Sequence, residues 1–139
     1  MTRKKFSHLA LCILLLYYAV LLFLCLYHFK NTGISNYFLG IPTDKCIHFC
    51  MFFPFPFVVW FFIKLNYKLH ITDGWMYLII ILAGICTAFI TEFLQGLTTY
   101  RSEDPADAIA DTIGIIAGCL LLLATRKWLL RKLLKLLDS

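Results

Sequence analysis

The chain has 139 residues, of which 61% are hydrophobic and only 15% are charged. A soluble domain usually carries about 25% charged residues, so the composition excludes an ordinary globular core and favours a lipid bilayer as the solvent. The net charge of +5 comes mostly from basic residues that flank apolar segments, and we therefore expect no nucleic-acid partner. At this length one compact domain is expected.

Four apolar stretches are long enough to cross the hydrocarbon layer, which takes about 20 helical residues. They cover about residues 9–29, 46–65, 75–97 and 106–124. The first follows a basic N-terminus but is too long for a secretory signal peptide, and no small-residue cleavage site follows it. We therefore predict an all-α integral membrane protein with four transmembrane helices in a single domain.

The segment 125–139 predicts a basic amphipathic tail after the fourth span. Its basic residues alternate with leucines at helical spacing, which suits the surface of an anionic inner leaflet. These residues are Arg126, Lys127, Leu129, Leu130, Arg131, Lys132, Leu133, Leu134, Lys135 and Leu137.

The distribution of lysine and arginine predicts the orientation. The N-terminus, the second loop and the tail hold ten of these residues, whereas the first and third loops hold only Lys30, Lys45 and Arg101. We therefore expect both termini in the cytoplasm, with the first and third loops at the outer face.

With this orientation, the polar residues of the last three spans gather at the outer face. We call them the polar cluster: Asp44, Lys45, His48, Glu92, Gln95, Arg101, Asp104, Asp107 and Asp111. Asp44 and His48 are four residues apart and should share a helical face. We expect the cluster to hold the functional site.

Helix capping explains only part of the cluster. Asp104 is a suitable N-cap for a helix that begins at Pro105, and Asp107 suits the positive end of the helix dipole. Asp111 and Glu92 should each lie about 9 Å inside their helices. Charged groups at such depth are costly and usually mark a functional site, although a structural polar network is the rival interpretation. His48 and Arg101 are equally suited to function or to simple charge balance.

Small residues predict how the third and fourth spans pack. Gly84 and Ala88 lie on one stripe of the third span, whereas Gly114 and Gly118 continue the aspartate stripe of the fourth. Small residues let membrane helices approach closely. We therefore expect the two stripes to face each other and to carry Glu92 and Asp111 into a shared pocket. Pro54 and Pro56 predict a kink below His48 that helps to open a cavity.

The excess of carboxylates in the cluster should attract a divalent cation or a cationic group. The candidate ligands are His48, Glu92, Asp107 and Asp111, since oxygen donors with one imidazole suit magnesium, calcium or manganese.

At these residues the chain resembles the VanZ family, which is named for a teicoplanin-resistance protein. The resemblance rests on Asp44-Lys45-x-x-His48, Glu92-x-x-Gln95, Arg101, and Asp107-x-x-x-Asp111-Thr112-x-Gly114-x-x-x-Gly118, in this order. It covers about residues 40–122. It implies a small protein of the bacterial cytoplasmic membrane with a role in glycopeptide tolerance.

Three functional hypotheses follow. In the first, the protein binds or modifies a cell-envelope lipid, a lipid-linked precursor or a glycopeptide, with the cluster residues as the binding site. An enzymatic version uses Glu92 or Asp111 as general base or metal ligand, His48 as proton-transfer partner and Arg101 to hold an anionic group. The alternatives are a small ion or solute transporter subunit, which an oligomer could form, and a non-catalytic membrane assembly partner.

Overall fold

The computed structural model of the protein describes residues 3–26, 37–66, 73–98 and 104–138. Arg101 lies outside these described residues. The elements, in chain order, are α1 (Arg3–Leu26), β1 (Tyr37–Phe38), β2 (Ile41–Pro42), α2 (Thr43–Phe52), α3 (Phe55–Asn66), α4 (Asp73–Gly96) and α5 (Pro105–Asp138).

Four helical segments are long and apolar enough to cross a membrane: α1, α2 together with α3, α4, and α5. Large apolar side chains point outward on all of them, for example Leu16, Phe89 and Leu120, each at least 60% exposed. Such faces are stable only in contact with lipid. The prediction of an all-α integral membrane protein with four spans is confirmed.

The core of the bundle is built mainly from aromatic and branched side chains. Phe52, Phe55, Ile80, Ile115 and Leu122 are each fully buried in it. The α5 helix packs against α2, α3 and α4, and it therefore lies at the centre of the arrangement.

The predicted kink in the second span is present, as a break between α2 and α3 at Phe53 and Pro54. Proline lacks the N–H that a continuous helix would use. A side chain from another helix compensates nearby, since the Tyr17 hydroxyl donates a hydrogen bond to the carbonyl of Met51 at 2.8 Å. The break is thereby held against α1.

A small antiparallel hairpin precedes α2, and it was not predicted from the sequence. Tyr37 pairs with Pro42, and Phe38 pairs with Ile41. Leu39 and Gly40 form the turn with φ of 51° and 80°, as two-residue hairpins with a primed turn require. All of the hairpin side chains are exposed although most are apolar, so the hairpin presents an apolar surface beside α2.

The amphipathic tail is not a separate segment, because α5 continues without a break to Asp138. A helix of 34 residues is about 51 Å long, which exceeds the roughly 30 Å hydrocarbon layer. Near its end Leu133 is buried against Ala10 and Leu65. This end of α5 therefore packs on the bundle through Leu133 and leaves Leu134 exposed.

Candidate functional site

The site begins with Lys45, on the first turn of α2. Its ammonium donates to carboxylate oxygens of Asp104 and Asp107 and lies 3.1 Å from Asp44 Oδ2. The Lys45 side chain is only 16% exposed. One cation therefore links three carboxylates and joins the start of α2 to the start of α5.

One helical turn deeper, His48 lies between two aspartates of α5. Its Nδ1 is 3.0 Å from Asp111 Oδ1, and its Nε2 is 3.5 Å from Asp107 Oδ2. His48, Asp107 and Asp111 are 2%, 5% and 0% exposed. Both ring nitrogens of His48 therefore face buried carboxylates. The arrangement is suited to hold a proton and to pass it between neighbouring groups.

Asp104 has the capping role predicted for it and an additional ionic one. Its Oδ1 accepts a hydrogen bond from the backbone N–H of Ala106 at 2.9 Å, as an N-cap does. The hydrogen bond from Lys45 and, to a lesser degree, the bond from Ala106 hold the pKa of Asp104 below its usual value. Asp104 therefore stays ionised at neutral pH.

The two glycines of α5 explain why α2 lies so close. A Cβ at Gly114 would be 2.6 Å from the carbonyl oxygen of Phe49, and one at Gly118 would overlap the carbonyl oxygen of Phe53. The stripe of α5 thus faces α2, and the expectation that it faces the stripe of α4 is wrong. Only glycine allows the two backbones to approach this closely, and that approach brings His48 to Asp111.

On α4 the predicted packing residues lie in the interior. Gly84 contacts the side chain of Ile115 on α5, since a Cβ there would be 2.8 Å from the Ile115 Cδ1. Ala88 is 1% exposed within the core. The third and fourth spans therefore pack together as predicted, but the contact is made by Ile115 of α5 against Gly84 of α4 and not by two stripes of small residues.

Glu92 contacts the start of α5. Its Oε1 accepts a hydrogen bond from the backbone N–H of Asp104, which places Glu92 beside the beginning of α5. Asp111 follows seven residues later, about 10 Å further along the helix. Glu92 nevertheless interacts electrostatically with His48, Asp107 and Asp111, and a pocket shared by Glu92 and Asp111 stays a prediction.

Two carboxylate oxygens in this region are buried without a hydrogen-bond partner among the described residues. They are Glu92 Oε2 and Asp111 Oδ2. Buried polar atoms are nearly always paired, so each such atom indicates a bound group, a water or a protonated acid. Glu92 also borders a groove between α4 and α5.

Gln95 of α4 contacts α1. Its Nε2 donates to the carbonyl of Cys25 on α1 at 2.9 Å, and the Gln95 side chain is 1% exposed. This amide joins α4 to the end of α1. Gln95 thus has a structural contact away from the other described members of the polar cluster.

The carboxylates that lie close enough together to hold a metal ion are not the set of ligands that was predicted. Oxygen atoms of Asp44, Asp104 and Asp107 lie within 4.8 Å of one another, but the Lys45 ammonium is bound to all three. A divalent cation would have to displace that ammonium. His48, another expected ligand, directs both ring nitrogens at aspartates.

Apolar grooves flank the start of α5, and they were not predicted from the sequence. One of about 520 Å³ lies between α4 and α5 and is bordered by Glu92. Another of about 560 Å³ lies between α2 and α5 and is bordered by Lys45 and Phe38. Ile109 and Ile113 border both grooves. The only sequence signal was the spacing of these isoleucines on the lipid-facing side of the aspartate stripe.

A third groove, of about 530 Å³, lies between α1 and α2. Pro54 borders it, together with Tyr17 and Phe38. The expected opening near the proline kink is therefore present, but on the side of α2 that faces α1.

Comparison with known proteins supplies one match. A family model described as VanZ/LLP1 matches residues 8–129. No curated protein and no solved structure matches the chain. The match extends beyond the polar cluster at both ends and covers most of the four spans.

Proposed function

The chain belongs to the VanZ/LLP1 family, and from this premise we propose that its polar cluster binds or acts on a cell-envelope lipid or glycopeptide. The observation that carries the proposal is the burial of charged groups within the spans. Asp111, His48 and Asp107 are each at most 5% exposed. Ionisable groups inside a membrane are costly and are usually retained for function.

The proposal includes a location, the bacterial cytoplasmic membrane with the cluster at the outer face. The excess of basic residues at the opposite end of the spans supports this orientation. A cluster in that position meets envelope precursors and glycopeptides without any transport across the membrane.

An enzymatic version of the proposal gives His48 the proton-transfer role. Its two aspartate contacts would hold the ring in place while the proton moves, as orienting carboxylates do in other sites. Glu92 or Asp111 would serve as general base, each through its unpartnered oxygen. Arg101 would hold an anionic group. In a binding version the same residues only recognise the ligand.

The transporter alternative has less support. Below Asp111, towards the basic end of the bundle, the described core consists mainly of apolar side chains such as Phe55, Ile115 and Leu122, with a few tyrosine hydroxyls but no carboxylic acid or basic side chain among them. An ion path needs polar groups along its length. The assembly-partner alternative keeps the cluster as a structural link between helices, and the ion pairs of Lys45 are compatible with it.

The test is the teicoplanin susceptibility of a sensitive bacterial host that expresses the wild type or Glu92→Gln at matched membrane levels. We expect the wild type to raise the inhibitory concentration and Glu92→Gln to abolish at least most of that increase. Glu92 borders a groove and retains an unpartnered oxygen, so its charge is the feature that a ligand would use.

The matched control is Asp73→Asn, the same acid-to-amide change at the first residue of α4 and at the opposite end of that helix. It should protect like the wild type. Equal protection by Glu92→Gln would show that this carboxylate has no part in the activity, and it would overturn the site assignment.

A further inference from the structure

The groove between α4 and α5 opens towards the bilayer. Phe89, Phe93 and Ile109 border it, and each is at least 60% exposed. Pro105 and Thr112 border it at the α5 side. Its volume of about 520 Å³ is within the range of sites that hold small ligands. A ligand could therefore enter sideways from the membrane.

Among the described residues that border this groove, Glu92 alone is charged. Glu92 is buried, with only 8% of its surface exposed. Its Oε1 is occupied by the backbone N–H of Asp104, whereas Oε2 has no hydrogen-bond partner among the described residues. An ionised carboxylate accepts hydrogen bonds and cannot donate them. In its ionised form Glu92 thus places a buried acceptor at the end of the groove, where a ligand can donate to it.

The charges around the groove determine whether a positively or a negatively charged ligand group is favoured there. Asp104 and Asp107 lie at the same end of α5, and the ammonium of Lys45 is already bound to both. No described residue that borders the groove is positively charged. An anionic headgroup would be repelled there, whereas a group that carries N–H bonds and a positive charge would be attracted.

We propose that the α4–α5 groove binds an acyl chain of a lipid whose headgroup carries a primary ammonium, with that ammonium hydrogen-bonded to Glu92 Oε2. The apolar wall would hold the chain, and the buried carboxylate would recognise the headgroup. The inference rests on the proposed function, because it names the ligand class of the same site.

The experiment measures the binding of three lipids with identical dioleoyl chains to the purified protein in detergent, by native mass spectrometry and by the thermal unfolding midpoint. Phosphatidylethanolamine offers three N–H donors, phosphatidylcholine offers a cation without N–H, and phosphatidylglycerol is anionic. We expect phosphatidylethanolamine to bind at least about tenfold more tightly than the other two, which corresponds to one charge-assisted hydrogen bond.

Two variants and one control locate the binding. Glu92→Gln removes the charge and should abolish the preference for phosphatidylethanolamine. Thr112→Trp fills the groove and should weaken binding of that lipid about tenfold. Ile116→Trp places the same bulk one turn further along α5, at an exposed position outside this groove, and should bind like the wild type.

Equal binding of the three lipids by the wild type would overturn the proposal, as would tighter binding of phosphatidylglycerol. Undiminished binding by Thr112→Trp would exclude this groove. The readout is independent of teicoplanin. Selective lipid binding without protection would therefore leave this inference intact and reject glycopeptide tolerance, whereas protection without lipid selectivity would do the reverse.

Discussion

At the scale of single residues, the contact between His48 and Asp111 is the most consequential of the described polar contacts. Asp111 is fully buried, and its Oδ1 lies 3.0 Å from the histidine ring. If one partner of a buried ion pair is removed, the other keeps its desolvation cost without compensation. Removal of one partner therefore destabilises the protein by more than the intact pair stabilises it. Two well-packed apolar residues in place of the pair would have no buried charge to desolvate.

We predict that His48→Ala destabilises the protein by about 3 kcal/mol, as measured by unfolding in mixed micelles with increasing SDS. The double variant His48→Leu with Asp111→Leu should recover most of this loss. His8→Ala, an exposed histidine of α1, is the control and should have little effect. If His48→Ala is as stable as the control, Asp111 does not depend on the histidine.

A second prediction at this scale concerns pH. The lowered pKa of Asp104 means that its ion pair with Lys45 stabilises the folded state above the ordinary aspartate pKa of about 4. That stabilisation is lost only as pH falls through the lowered value in the folded protein. It is small, because the Asp104 side chain is 46% exposed.

The variant Asp104→Asn isolates this charge, since asparagine caps helices about as well as aspartate. Its thermal unfolding midpoint should lie slightly below that of the wild type at pH 7, and the two should converge below about pH 4. A difference that does not shrink as pH falls below about 4 would assign the effect to the cap or to packing rather than to the ion pair.

At the scale of elements, the close approach of α2 and α5 decides the geometry of the site. Gly114 and Gly118 lie against backbone carbonyls of α2, and backbone atoms cannot move aside as a flexible side chain can. The helix pair is therefore fixed just below His48, and the break at Pro54 is part of the same contact.

We predict that Gly114→Ala costs roughly 2 kcal/mol of stability through overpacking, in spite of the better helix propensity of alanine. Gly74→Ala is the matched control, because nothing lies within 4 Å of a Cβ at that position of α4. The SDS unfolding assay should show no loss for Gly74→Ala. Equal behaviour of the two variants would contradict the close approach.

At the scale of the whole molecule, α5 connects the polar cluster at one end of the bundle to the basic end at the other. Its first turns contact α2 and Glu92, and its last turns contact α1 and α3 through Leu133. The continuous helix thus makes the tail part of the folded bundle.

Two neighbouring leucines test this packing. Leu133→Ala removes a side chain that is 6% exposed and should cost about 2 kcal/mol, whereas Leu134→Ala removes one that is 57% exposed and should cost little. Unfolding in mixed micelles measures both. A similar small effect at both positions would favour a tail that lies on the membrane surface instead.

The proposed orientation is a further prediction at this scale. A green fluorescent protein fused to the C-terminus should fluoresce in intact bacterial cells, whereas alkaline phosphatase at the same place should be inactive, because the positive-inside rule places the basic end in the cytoplasm. Active phosphatase at the C-terminus would invert the bundle and move the polar cluster to the inner face.

The sequence alone determined the four spans, their location along the chain, the capping role of Asp104 and the kink at Pro54. These are local properties, since apolar length, a missing N–H and a capping side chain act within a few residues. It also identified Asp44, Lys45, His48, Asp104, Asp107 and Asp111, which the structure brings together.

Only the tertiary structure decided which helix meets the glycine stripe, which part of α5 Glu92 contacts and where Gln95 points. A stripe of small residues permits close approach to any helix, so its partner depends on the packing of the whole bundle. The hairpin at Leu39 and Gly40 is local, but its turn lacks the usual Asn-Gly pair and was not predicted. The grooves beside Ile109 arise between helices far apart in sequence. Their positions follow from how the helices fill space together, which no local pattern records.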